Sequence, residues 1–293
     1  MDIPNLDKML DAGVHFGHQT LRWNPKMKKF ILTERNGIHI INLAKTQENI
    51  EKAVEGIQKT LQSGKRILFV GTKKTVRHCV EEEAKRCNMF YVTNRWLGGM
   101  LTNFTTVKAS IKKIEKIEQM EEKGLIKELK KKEVISLNKK KKKLEAVLGG
   151  IREMTTLPGL IIAADTKNEH IAISEARRLG IPIIAIVDSN SNPDEIDFPI
   201  PGNDDAIKSV SLIISTLADT VNGIAGAIDK KKDEIKKELE NKKKEQEIAA
   251  KKESEKSETK SKPDASVQNT SQEPVTASSE SVTETVTKKE KGK

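Results

Sequence analysis

The sequence predicts a three-layer α/β/α domain of about five parallel strands, interrupted by an antiparallel coiled-coil helical hairpin. Three observations carry this. Short, wholly apolar runs at residues 67–70, 160–164 and 182–187 alternate with stretches of helical spacing. A strand that is apolar at every position is buried on both faces, which happens in a parallel sheet covered by helices. Between the two halves of that pattern lies a lysine-rich stretch, residues 104–148, whose apolar residues fall into two narrow helical stripes.

Each element follows in chain order. Ile38-His39-Ile40-Ile41-Asn42 is short and β-branched and is expected as a strand of this domain. Residues 46–61 place Ile50, Val54, Ile57 and Leu61 on one helical face, and Gly64 ends them. Ile67-Leu68-Phe69-Val70 is a buried strand punctuated by Gly71, and residues 75–87 read as a helix through Val76, Val80 and Ala84. A weaker strand spans residues 89–92. The pattern resumes at Leu160-Ile161-Ile162-Ala163-Ala164, then a helix over 169–179 with Ile173, Ala176 and Leu179, stopped by Gly180. Pro182-Ile183-Ile184-Ala185-Ile186-Val187 is the next strand. Residues 204–221 form the last core helix, with Ile207, Val210, Ile214, Leu217 and Val221 at helical spacing.

Inside the basic stretch, Val107, Ile111, Ile114, Ile117 and Met120 keep helical spacing until Gly124. Val134, Leu137, Lys141, Leu144 and Leu148 form the second stripe, which Gly149-Gly150 ends. Two narrow stripes joined at a glycine make an antiparallel hairpin with little core of its own. The expected boundaries are therefore residues 1–103 and 149–228 for the α/β domain and 104–148 for the hairpin. A charged helical extension is expected over 229–253. Residues 254–293, rich in Ser, Thr, Glu and Lys with Pro263 and Pro274, have too little apolar surface to offset ordering entropy and should be disordered.

Charge narrows the function. The 293 residues carry a formal net charge of +10, and 33% of them are charged. Residues 104–148 hold 14 lysines against 7 acids, a net of +7, whereas residues 229–293 hold 17 lysines against 15 acids, a net of +2. An excess concentrated on one element is the electrostatic footprint of a nucleic-acid binder; a solvated coiled coil is the plainer reading of the same lysines. No apolar run approaches the roughly 20 residues of a membrane-spanning helix, and the start of the chain does not read as a secretory signal. Cys79 and Cys87 are too few for a disulfide framework and read as small apolar groups in a reducing cytosol.

Motifs for catalysis fail on inspection. Val70-Gly71-Thr72-Lys73-Lys74-Thr75 sits at a strand-to-helix turn, where open sheets bind ligands, but the second glycine of a phosphate loop is missing. Lys73 and Lys74 are instead candidates for RNA phosphate contact. Arg95-Trp96-Leu97-Gly98-Gly99-Met100-Leu101-Thr102-Asn103-Phe104 leads into the hairpin, with Trp96 and Phe104 packed and Arg95 free to reach RNA. His15 and His18, with Asp188, Asp204 and Asp205, offer metal-type ligands without a clear third donor. No nucleophile–base pair is identifiable, and no cofactor is expected.

Several segments together resemble the ribosomal protein S2 family of bacteria. These are residues 10–20 (Leu10-Asp11-Ala12-Gly13-Val14-His15-Phe16-Gly17-His18-Gln19-Thr20), Trp23-Asn24-Pro25-Lys26-Met27, Val70-Gly71-Thr72-Lys73 and the Arg95-to-Asn103 run. Pro158 through Pro182, Asp188-Ser189-Asn190 and Ile200-Pro201-Gly202-Asn203-Asp204-Asp205-Ala206-Ile207 complete the set, in order, from about residue 2 to 225. The resemblance implies a flavodoxin-like domain bearing a coiled-coil hairpin. It implies a non-catalytic constituent of the small ribosomal subunit in the cytoplasm, monomeric within the ribosome. Its implied partners are small-subunit rRNA, ribosomal protein S1, whose recruitment it supports, and other small-subunit proteins, with no membrane. The residues expected on RNA are Arg22, Lys26, Lys28, Lys73, Lys74 and Arg95 on the domain. Lys108, Lys112, Lys113, Lys116, Lys130, Lys131, Lys139, Lys140 and Lys142 join them on the hairpin. Two other classes stay open: a partner-binding adaptor acting outside the ribosome, and an α/β enzyme with a phosphorylated ligand. Nothing in the resemblance reaches the tail beyond about residue 229.

Overall fold

The computed structural model describes residues 3–125 and 130–228. Helix α1 (Leu6–Asp11), capped by the Asn5 side chain on Lys8 N, leads into strands β1 (Phe16–Gln19), β2 (Ile31–Arg35) and β3 (Ile38–Ile41). Helix α2 (Leu43–Gln62) is capped by Asn42, whose side chain accepts from Ala44 N. Then follow β4 (Ile67–Val70), α3 (Arg77–Arg86), β5 (Phe90–Val92), α4 (Phe104–Glu122) and α5 (Lys131–Leu148). The chain continues through β6 (Leu160–Ala163), α6 (His170–Arg178), β7 (Ile183–Val187) and β8 (Phe198–Pro201) to α7 (Ile207–Ile228).

The main sheet is parallel throughout, in the order β5-β4-β6-β7-β8. Numbered along the chain this is 2-1-3-4-5, the flavodoxin-like winding, and the order reverses between β4 and β6. Alternate strand residues serve two separate cores. Ile67, Phe69, Leu160, Ile162, Ile184 and Ile186 pack with Ile50 and Ile57 of α2, Val80 of α3 and Val210, Ile214 and Leu217 of α7. Leu68, Val70, Ile161, Ala163, Ile183 and Ala185 pack on the other side with Ile173 and Ala176 of α6, Trp96, Met100, and Ile111, Ile114 and Leu148 of the helix pair. Helix α7 is long and apolar enough to cross a membrane by length and composition, yet its apolar face is part of the first core.

Two expectations are corrected. Ile38–Ile41 is a strand, but it lies in a separate antiparallel sheet of order β1-β3-β2, where Glu34 pairs with His39 and Phe16 with Ile40. The fifth parallel strand is β8, Phe198-Pro199-Ile200-Pro201, in register with Ile184 to Val187 of β7. Proline cannot donate to a ladder, so such a segment fits a sheet only at its edge, which is where it sits. The last helix also starts later than residue 204, leaving Asp204 and Asp205 in the loop before it.

Helices α4 and α5 are inserted between β5 and β6. They face one another through Lys141, whose ammonium meets Glu121 at 2.7 Å and Glu118 at 3.7 Å. Gly124 follows α4 at φ +70°, a backbone state that favours glycine. At the base, a Cβ on Gly150 would collide with the Tyr91 carbonyl oxygen, so only glycine lets the returning chain pass this close to β5. The expected extension over 229–253 and the tail over 254–293 lie outside the described residues.

Candidate nucleic-acid interface

The hairpin's charge follows from its burial. Helix α4 buries Ile111, Ile114 and Ile117, while α5 buries only Leu148, at its last residue. Most of both surfaces is left to solvent, and the lysines occupy it. Lys112, Lys113 and Lys116 are exposed on α4, and Lys130, Lys131, Lys139, Lys140 and Lys142 on α5. Lys108, Lys112 and Lys116 recur every four residues and share a helical stripe. Lys108 is half-buried: its ammonium lies 4.9 Å from the Phe104 ring centre and donates to the Thr155 carbonyl. On the α/β body Arg22, Lys26, Lys28, Lys74 and Arg95 are exposed, with Lys26 paired to Asp194 at 2.8 Å.

Lys73 is placed differently. Its ammonium donates to Asp205 Oδ1 at 2.5 Å, to the Asp204 carbonyl at 2.9 Å and to Asp204 Oδ1 at 3.2 Å, with Asp165 Oδ2 at 3.6 Å. It therefore bridges the loops after β4, β6 and β8 at the sheet's reversal point. Burial disfavours its charge, but the bonds to Asp205 and Asp204 and the field of Asp165 outweigh it and raise its pKa. Four of the five metal-type candidates gather beside it. His18 Nδ1 lies 3.1 Å from Asp188 Oδ2 and its Nε2 3.4 Å from Asp205 Oδ2. His18, Asp188 and Asp204 present donor atoms within 4.8 Å of one another. His15 is not among them; its ring packs at 4.0 Å on Phe16 and burial lowers its pKa.

The cluster is over-supplied with carboxylates, and this has a pH signature. Burial, then the charges of Asp165 and Asp188, push the Asp204 carboxyl up to about 7 against the pull of Lys73. The folded state then holds this proton more tightly than an unfolded chain with its ordinary value of 3.8, so stability falls as pH rises between those two values. His18, raised by its hydrogen bond to Asp188 against burial, adds loss of the same sign near neutrality. Asp204→Asn should flatten the decline, read as the urea midpoint from about pH 4 to pH 8. A variant as steeply pH-dependent as the parent would refute this charge assignment.

One buried carboxylate went unread in the sequence. Glu175 of α6 is 8% exposed and collects donors from the segment before α4. Its Oε1 accepts from Trp96 Nε1 at 3.1 Å and Gly99 N at 2.7 Å. Its Oε2 accepts from Leu101 N at 2.9 Å, Thr102 N at 3.0 Å and Thr102 Oγ1 at 3.1 Å. Burial raises its pKa, but the amides of Thr102 and Leu101, the Trp96 indole and the Gly99 amide outweigh that and lower it. A second acid, Glu169, accepts from Thr72 N at 2.6 Å and steadies the loop that carries Lys73.

A family model described as ribosomal protein S2 matches residues 9–223, from the end of α1 nearly to the end of α7. The chain belongs to the ribosomal protein S2 family. Two curated relatives, each called small ribosomal subunit protein uS2, come from two strains of Treponema pallidum, one of them strain Nichols. Each is 56% identical over 221 residues, which is 75% of this chain and 76% of the relative. The S2 match spans both the α/β body and the inserted helix pair. Members of this family are structural constituents of the small ribosomal subunit, and the enzyme reading is set aside.

Proposed function

We propose that this chain is a structural constituent of the small ribosomal subunit that holds rRNA phosphates with the outer surfaces of α4 and α5. The observation that carries the reading is the row of exposed lysines on an element that buries little of its own surface. Contacts of this kind give affinity and register, with little sequence information. Arg22, Lys26, Lys28, Lys74 and Arg95 would add contacts from the body. The S2 family membership supports the subunit assignment, and with it a cytoplasmic site of action and the presence of neighbouring ribosomal proteins. Support for ribosomal protein S1 is the further part of the same proposal.

The test is co-sedimentation of the full chain with small subunits that lack it, at moderate and at high salt. Binding at moderate salt that is released at high salt is the expected result. Absence of binding at moderate salt would favour an adaptor acting elsewhere. For the recruitment part, subunits given the chain should retain more ribosomal protein S1 than subunits without it; equal retention would remove that part alone.

A further inference from the structure

The segment that leads into α4 is tied to the α/β body through a single buried carboxylate. Glu175 is an acid on the buried side of α6, where burial alone argues for an apolar residue. It is kept by five donors converging on its two oxygens, all from residues 96–102. Leu101 and Thr102 stand immediately before α4, and the N-cap residue Asn103 makes no side-chain capping bond. The carboxylate of α6 thus holds the turn that leads into α4 from two and three residues before its first residue. Gly99, at φ +88°, turns the loop so that its amide and those of Leu101 and Thr102 reach one carboxylate. The other root is held too, because Asn94 Nδ2 donates to the Ala146 carbonyl near the end of α5.

We propose that Glu175 is a positioning residue that sets the direction of the α4–α5 pair relative to the parallel sheet. The proposal deepens the reading of this pair as the RNA arm and rests on it for its functional consequence. Apolar packing alone can slide, whereas five hydrogen bonds to a planar carboxylate fix both position and rotation. Glu175→Gln keeps the size but turns one acceptor oxygen into an NH2 group. That group would face N–H donors on whichever side it takes, so one set of bonds is lost.

The experiment labels two exposed positions, Gln119→Cys on α4 and Glu55→Cys on α2, in a full chain carrying Cys79→Ser and Cys87→Ala. The spin–spin distance distribution should be narrow with Glu175 and at least about twice as wide with Glu175→Gln. If only about a tenth of the variant's molecules hold the competent direction, subunit association weakens about tenfold. Its salt slope should stay near the parent's, because no phosphate-facing lysine is lost. Trp96→Phe removes one donor and leaves the carboxylate; it should give an intermediate width and covers the case in which Glu175→Gln does not fold. An unchanged width in folded Glu175→Gln, or in Trp96→Phe should that variant alone fold, overturns the proposal. So does a lowered melting temperature with the direction kept, which would make Glu175 a stabilising residue only. A widened distribution with unaltered association supports the positioning role and counts instead against the RNA-arm reading.

Discussion

Reversal of Lys112, Lys113, Lys116 and Lys140 to glutamate should weaken small-subunit association by about two orders of magnitude or more near physiological salt. Each lysine on a phosphate contributes about 1 to the slope of log affinity against log salt, so four should flatten it by up to about 4. The reversal moves the formal net charge from +10 to +2, so a global charge effect must be separated from a local one. Reversing Lys59, Lys167 and Lys208, all exposed on the α/β body, takes the charge to +4, nearly as far. That variant should keep most of the slope. Fold stability should be preserved in both, since exposed charges away from special features change stability by about 0.5 kcal/mol or less. The measurement is subunit co-sedimentation across a salt series. Equal flattening in the two variants would mean that net charge, and not α4 and α5, drives the association.

The parallel sheet was legible because its strands are apolar without a gap. Ile67–Val70, Leu160–Ala163 and Ile183–Val187 each bury every residue, and a run of that kind admits few alternatives at such lengths. The helix pair was legible for the opposite reason, its narrow stripe, even to Lys141 sitting in the stripe and finding Glu118 and Glu121 across the pair. Strand β8 was not, since two prolines in four residues argue against a strand unless it is known to be an edge. The antiparallel sheet was hidden because β2 is almost wholly exposed and lacks alternation to read. Glu175 did leave a trace: it follows Ala172 by three residues, a helical step that places it on the stripe buried with Ile173 and Ala176. An acid there signals a partner that spacing cannot name, because its donors are 73 to 79 residues away.

Lys73 shows the same limit and yields the second large effect. Beside Lys74 in a basic pair, it reads as a phosphate contact; its acidic partners Asp204 and Asp205 are 131 and 132 residues distant. Lys73→Met would leave Asp165 and Asp204, 4% and 3% exposed at the side chain, without their cation. Breaking a buried pair from one side costs about 3–5 kcal/mol, a large part of the roughly 5–15 kcal/mol typical of a folded protein. Lys74→Met, at an exposed site, should change stability by about 0.5 kcal/mol or less. The pH dependence separates this from a simple loss of packing. The Lys73 pKa is raised in the folded state, so its contribution is complete everywhere below the ordinary lysine value of 10.5 and does not itself vary between acid and neutral pH. The stranded Asp204 carboxyl does vary: with a folded pKa above the ordinary 3.8, it costs nothing while protonated and the full amount once ionised. The deficit of Lys73→Met against the parent should be small near pH 4 and largest near pH 8, measured by urea unfolding. A pH-independent deficit would assign the loss to the aliphatic stem. A variant as stable as the parent but with a salt slope for subunit binding lowered by about 1 would return Lys73 to the RNA.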